Sequence, residues 1–222
     1  MKSESNKLAV RGELALIAMV IMNSAGVLLM LHSGSGISAI SSVPYGFQQV
    51  FPQLTLGTWT YMFQGLLVLV LMLLRRKFIP SYLFSFVVGF VFGKLMDLEK
   101  PFIDALPLNI PMRVLYFVLS YLILCFGISL GNRCGLPITP TDLFPREMAD
   151  ITKLPYARVK ITFELTCLIT TAVITFVGVG AIRGLGIGTV VAACTMGKGI
   201  AFIGSLLDKR LTFHSVLDGQ KV

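Results

Sequence analysis

Six stretches of this chain are each long and apolar enough to cross a lipid bilayer, and no other feature restricts its fold as strongly. They cover residues 14–32, 56–74, 78–98, 111–131, 159–180 and 185–207. A spanning helix needs about 20 mostly apolar residues, because the hydrocarbon layer is thick and a helix rises little per residue. Only 14% of the 222 residues are charged while 55% are hydrophobic. Soluble domains carry about a quarter charged residues, so folding in water leaves too much apolar surface uncovered. The sequence predicts an all-α integral membrane protein, with the lipid bilayer as its first partner.

The formal net charge of +8 does not point to nucleic acid, because the basic residues cluster in the short segments between apolar runs. That distribution encodes orientation: Lys and Arg accumulate on the cytoplasmic side. With the N-terminus inside, the inner segments hold 14 of the 19 basic residues, among them Lys2, Lys7, Arg75, Arg133 and Lys221. The outer segments hold only Lys100, Arg113 and Arg183, and Lys94 and Lys198 fall within spans. Both termini are therefore expected in the cytoplasm. The first apolar run, although preceded by basic residues, is too long for a signal-peptide core and reads as a retained helix.

The two halves of the chain resemble each other. A shift of 101 residues lays Gly26 on Gly127, Leu29 on Leu130, Gly34 on Gly135, Ile37 on Ile138 and Pro44 on Pro145, with Ser38 meeting Thr139. A shift of 100 lays Phe63-Gln64 on Phe163-Glu164, and one of 104 lays Gly93-Lys94 on Gly197-Lys198. Repeat one covers about 12–98 and repeat two about 113–208 within a single membrane domain. Each repeat holds three spans, an odd number, so the second copy has to sit upside down relative to the first. The expected architecture is six transmembrane helices as two inverted three-helix repeats. Each repeat carries a short helix or re-entrant segment after its first span, in 33–54 and 132–155. Inverted repeats recur in transporters, which place their sites between the repeats at broken or unwound segments.

At Gly34-Ser-Gly-Ile-Ser and Gly135-Leu-Pro-Ile-Thr-Pro-Thr-Asp142 the sequence resembles the YczE/YyaS/YitT family of bacterial membrane proteins. That family carries a Gly-x-Gly-x-x-Pro-like motif after the first helix of each half, and Gly186 to Thr189 is also similar to it. The first copy has Ala39 where the motif has proline, and the second has Pro137 where it has glycine. The resemblance implies a multi-pass protein of the bacterial plasma membrane, with transport presumed for the family.

Ionisable residues inside spans are costly, and each is a functional candidate with a partner to be named. Lys198 lies too deep for easy snorkelling, and Glu164 on the fifth span reaches a similar depth, so the two are expected to pair. A structural ion pair between helices is the plainer account. Lys94, the counterpart of Lys198, stands three residues from Asp97, the spacing of a helical pair. Gln64 is the neutral counterpart of Glu164. Ser38, Ser41, Thr139 and Thr141 bring hydroxyls to the Gly- and Pro-rich connectors, which could bind a small polar solute if they re-enter the bilayer and are otherwise surface loops. Asp142 is expected either at that site or as the cap of a short helix beginning after it.

Other chemistry finds little support. The Gly-Lys doublets fail the phosphate-loop spacing, since Ala192 replaces the first glycine of the second copy and Gly199 follows its lysine. Gly89 with Gly93, and Ala193 with Gly197, instead form small-residue faces for close helix approach, which suit a homodimer equally well. The four cysteines lack CxxC spacing, and His32 and His214 have no metal-spaced partner. No cofactor, metal or enzyme activity is expected. The sequence predicts a secondary transporter or facilitator of a small polar or anionic solute. The alternative is a membrane-embedded accessory or assembly protein without transport activity.

Overall fold

A computed structural model describes residues 8–214. Lys2, Lys7 and Lys221, three of the basic residues counted for orientation, lie outside them. The element order is β1 (Leu8–Arg11), α1 (Gly12–His32), α2 (Ser42–Val50), α3 (Leu56–Arg75), α4 (Pro80–Asp104), α5 (Ile110–Gly131), α6 (Pro140–Thr152), α7 (Tyr156–Val179), α8 (Ile187–Arg210) and β2 (Leu211–His214). Six of these helices, all but α2 and α6, are long and apolar enough to cross a membrane. The chain is a multi-pass helical membrane protein.

Local chemistry sets several helix ends. The Thr55 side chain caps α3 by accepting from the Thr58 amide at 3.1 Å. Prolines stand in the first turns of α4, α5 and α6, where a missing N–H costs nothing. Gly180 ends α7 at φ 75°, a left-handed conformation that glycine adopts without strain. The helix α4 continues to Asp104, past the predicted end at 98. Its last turns are polar and held by a Lys100–Asp104 pair, so hydropathy alone loses them. The helix α6 begins at Pro140, which puts Asp142 inside its first turn rather than ahead of it.

The most enclosed span is α1, which packs along α5 and α4, while α5 also packs on α8. Met19, Val27, Met30, Met96 and Leu124 form the heart of the core between these helices. At the α1–α5 crossing, a Cβ on Gly26 would meet Leu124 Cγ at 2.9 Å, and one on Gly127 would collide with the Asn23 oxygen. Small residues here let the two backbones approach closely. The strands β1 and β2 pair in parallel, Leu8 opposite Leu211 through Arg11 opposite His214, and bring both ends of the described chain to one face of the bundle. Strands this short carry no periodicity for a sequence reading to detect.

The two short helices begin inside the bundle. At the start of α2 the buried Ser42 hydroxyl bonds Thr171 of α7 at 2.7 Å, and near its end Val50 lies against Gly178. It thus runs outward beside the last turns of α7. The start of α6 lies against Gly89, well inside α4, and its later turns reach Arg75, which bonds Glu147 at 2.7 Å and Asp150 at 2.6 Å. It therefore runs to the opposite face, the one bearing the β pair.

Candidate functional site

Because both short helices start inside the bundle, the connectors that precede them also meet there. Ser38 to Ser41 ahead of α2, and Thr139 to Asp142 at the head of α6, line one cavity of about 500 Å³. Its floor is apolar, with Val27, Phe92, Leu124 and Ile128. One wall is α7, carrying Lys160 and Glu164, and the other is α8, carrying Cys194, Gly197 and Lys198.

Five of the seven candidate residues line this space: Lys198, Glu164, Ser38, Thr139 and Asp142. Gln64 and Lys94 do not. The Gln64 side chain is buried where α3 meets α4, its oxygen against Gly89. The Lys94 ammonium sits over the rings of Tyr61 and Phe90, 5.5 and 5.6 Å from their centroids. The expected Lys94–Asp97 pair does not form, because Asp97 accepts the Gly57 amide at 2.9 Å and the Thr55 hydroxyl at 2.7 Å. Asp97 thus serves the first turn of α3, where an anion meets the unsatisfied amides and positive end of a helix.

The Glu164–Lys198 pair is not formed either. Glu164 pairs with Lys160 one helical turn away at 3.8 Å. A partner at i,i+4 on its own helix needs no bridge across the cavity. Among the described residues Lys198 has no carboxylate partner. Asp142 accepts from the Thr139 hydroxyl at 2.9 Å, and Thr141 donates to Thr139 at 3.2 Å. Ser38 donates to Ser41 at 2.9 Å.

Two ionisable or amide-bearing cavity residues, Lys160 and Asn23, were not among the sequence candidates. Lys160 lies in a basic segment that reads as an orientation signal, yet it stands four residues before Glu164, the spacing of a helical pair. Asn23, 6% exposed, lines the cavity with its carbonyl oxygen unbonded. A lone amide in the middle of an apolar span was the available signal.

Directly ahead of the cavity residue Ser38, the first connector is clamped to the start of α8. Ile37 is fully buried; its amide donates to Gly184 O at 2.9 Å, and its carbonyl accepts the Thr189 hydroxyl at 2.8 Å. The Gly188 amide donates to Ser35 O at 2.8 Å. Gly36 holds φ 110°, and a Cβ there would collide with the Thr189 hydroxyl. The motif segments Gly34-Ser-Gly-Ile-Ser and Gly186 to Thr189, far apart in sequence, are the two sides of this clamp.

Fold and site together define a polytopic helical membrane protein with an internal cavity at the heads of two short, oppositely running helices. Over residues 10–205 the chain matches the Family of unknown function (DUF6198), and it belongs to that family. This match does not extend to the YczE/YyaS/YitT name. No curated protein and no solved structure matches the chain.

Proposed function

We propose that the chain is a secondary transporter or facilitator of a small polar or anionic solute, working between two inverted repeats in a bacterial plasma membrane. The observation that carries this is the meeting of both connectors in one cavity with Lys160, Glu164 and Lys198. Short helices whose N-terminal ends point into a bundle offer polarised backbone amides to a solute, and transporters use them at the interface of their repeats.

The repeat reading is supported by the order long–short–long–long, which occurs twice along the chain. It is supported further by matched packing: α1 on α4 and α5 on α8, α2 on α7 and α6 on α3. The positive-inside distribution favours the β-pair face as cytoplasmic, which makes the cavity inward-facing and the Ile37 clamp its outer barrier. The glycine-bearing connectors keep the YczE/YyaS/YitT resemblance as the finer family reading.

The test is labelling by a charged, membrane-impermeant thiol reagent. Cys194 lies exposed in the cavity wall, while Cys125, Cys134 and Cys167 are buried. Cysteines introduced at Ser38 and Thr139 extend the reach. Labelling at these positions, which shows a water-accessible pathway reaching both connectors, is the expected result. Complete protection at all three positions overturns the reading in favour of an accessory protein with a packed, dry centre.

A further inference from the structure

The cavity is open on its side. In the first half of the chain α3 and α4 pack tightly, but their counterparts α7 and α8 form no packed interface. A Cβ added to Gly93 would meet the Gly57 carbonyl oxygen at 2.5 Å, whereas one added to Gly197 would meet nothing within 4 Å. The exposed residues of these two helices are largely apolar, among them Ile161 and Leu165 on α7 and Val190, Val191 and Phe202 on α8. In a bilayer such a surface faces acyl chains, so the side entrance opens to lipid.

Lys198 stands at the midpoint of α8, beside this entrance. At about 1.5 Å per residue it lies roughly 16–18 Å from either helix end, beyond the reach of a snorkelling lysine. A cation at that depth is costly and calls for a counter-charge. The nearby carboxylates do not supply one: Glu164 pairs with Lys160, and neither it nor Asp142 stands within ion-pair distance of Lys198.

We infer that the cavity takes an amphiphilic anion, a carboxylate or comparable acid bearing an apolar chain, which enters sideways from the bilayer between α7 and α8. Its charged group sets against Lys198 and its chain lies along Val27, Phe92, Leu124 and Ile128. This rests on the cavity being a binding site, and it names the class of ligand for the transport reading above. An apolar floor beside a cation with no carboxylate partner suits such a molecule better than a fully hydrated ion, which would lose its water against those side chains without replacement.

Cys194, one turn from Lys198, is the reporter. The full chain in phosphatidylcholine nanodiscs is labelled with a maleimide in the presence of dodecanoate below its micelle concentration, acetate, or dodecyltrimethylammonium. Dodecanoate is expected to slow labelling at least tenfold, with acetate and the cationic amphiphile leaving it unchanged. Lys198→Gln abolishes the protection, read as the ratio of liganded to unliganded rates within the same variant, and Lys198→Arg retains it. Protection by acetate equal to that by dodecanoate overturns the amphiphile while leaving the small-solute transporter standing. Equal protection by the cationic amphiphile, or protection that survives Lys198→Gln, overturns the role of charge. A Cys194 that labels in no condition, or that cross-links between two copies, shows the side covered and overturns lateral entry, while labelling at Ser38 and Thr139 still decides the transport reading.

Discussion

Gly57 and Gly93 meet backbone to backbone across α3 and α4, each lying where the other's Cβ would have to go. The positions that align with them in the second half are Ala157 and Gly197, and no such contact forms there. One helix pair is shut and its counterpart stands apart. If the proposed inverted-repeat transport holds, the alternate state exchanges the two arrangements; Gly197 would then be needed for closing the open pair, as Gly93 is for the contact present here.

Substitution separates these roles. Gly93→Ala forces a methyl group onto the Gly57 carbonyl and is expected to destabilise the fold by about 1–3 kcal/mol, the usual cost of overpacking. Gly197→Ala meets open space and should leave stability unchanged or raise it by up to ~1 kcal/mol through helix propensity. Thermal unfolding of both variants in detergent measures the difference. Equal destabilisation would falsify the asymmetry.

The clamp at Ile37 yields a second expectation. Thr189→Val keeps the side-chain shape but removes the hydroxyl that donates to Ile37 O and accepts from the Gly186 amide. A hydrogen bond of this kind contributes about 0.5–1.5 kcal/mol, so the protein should fold while its clamp loosens. A cysteine at Ser38 should then label several-fold faster from the face opposite the β pair. An unchanged rate means that the clamp does not seal the cavity.

How far the sequence led is clearest at individual positions. The six spans were legible because lipid demands long apolar helices, and a 20-residue signal survives errors at its ends. The connectors were recognisable as broken because Gly34, Gly36 and Gly135 hold positive φ. Partner choice was not legible. Asp97 stands three residues from Lys94, yet it serves the amides of α3, which arrive from forty residues earlier in the chain. Glu164 chose Lys160 over Lys198 because the opening of α7 from α8 is a tertiary event with no local signature.

A third expectation concerns acid. Hydrogen bonding to Arg75, with a further contribution from Lys153, holds the Asp150 carboxyl below its ordinary value of 3.8. A group whose folded value is depressed stabilises the fold above its unfolded value and loses that contribution as pH falls through the folded one. The attachment of α6 to α3 should therefore be intact at neutral pH and weaken below about pH 4. Hydrogen exchange across Pro140–Thr152 at pH 7 and pH 3.5 measures it. Asp150→Asn should remove Asp150's share of the pH response.

The Lys160–Glu164 pair permits a separation of structure from function. Both side chains are largely enclosed, and removing one leaves the other charged in a poorly solvated place. Lys160→Met alone should cost roughly 1–3 kcal/mol, less than the ~3–5 of a fully buried pair because some exposure remains. Replacing both, with Glu164→Leu added, should restore most of that stability, since two apolar groups leave no orphan charge. If the pair only fastens α7, the double variant behaves as the parent in every respect. If it belongs to a binding site, the double variant recovers its unfolding temperature while ligand protection of Cys194 stays lost. That second outcome is the one expected, because both side chains line the cavity.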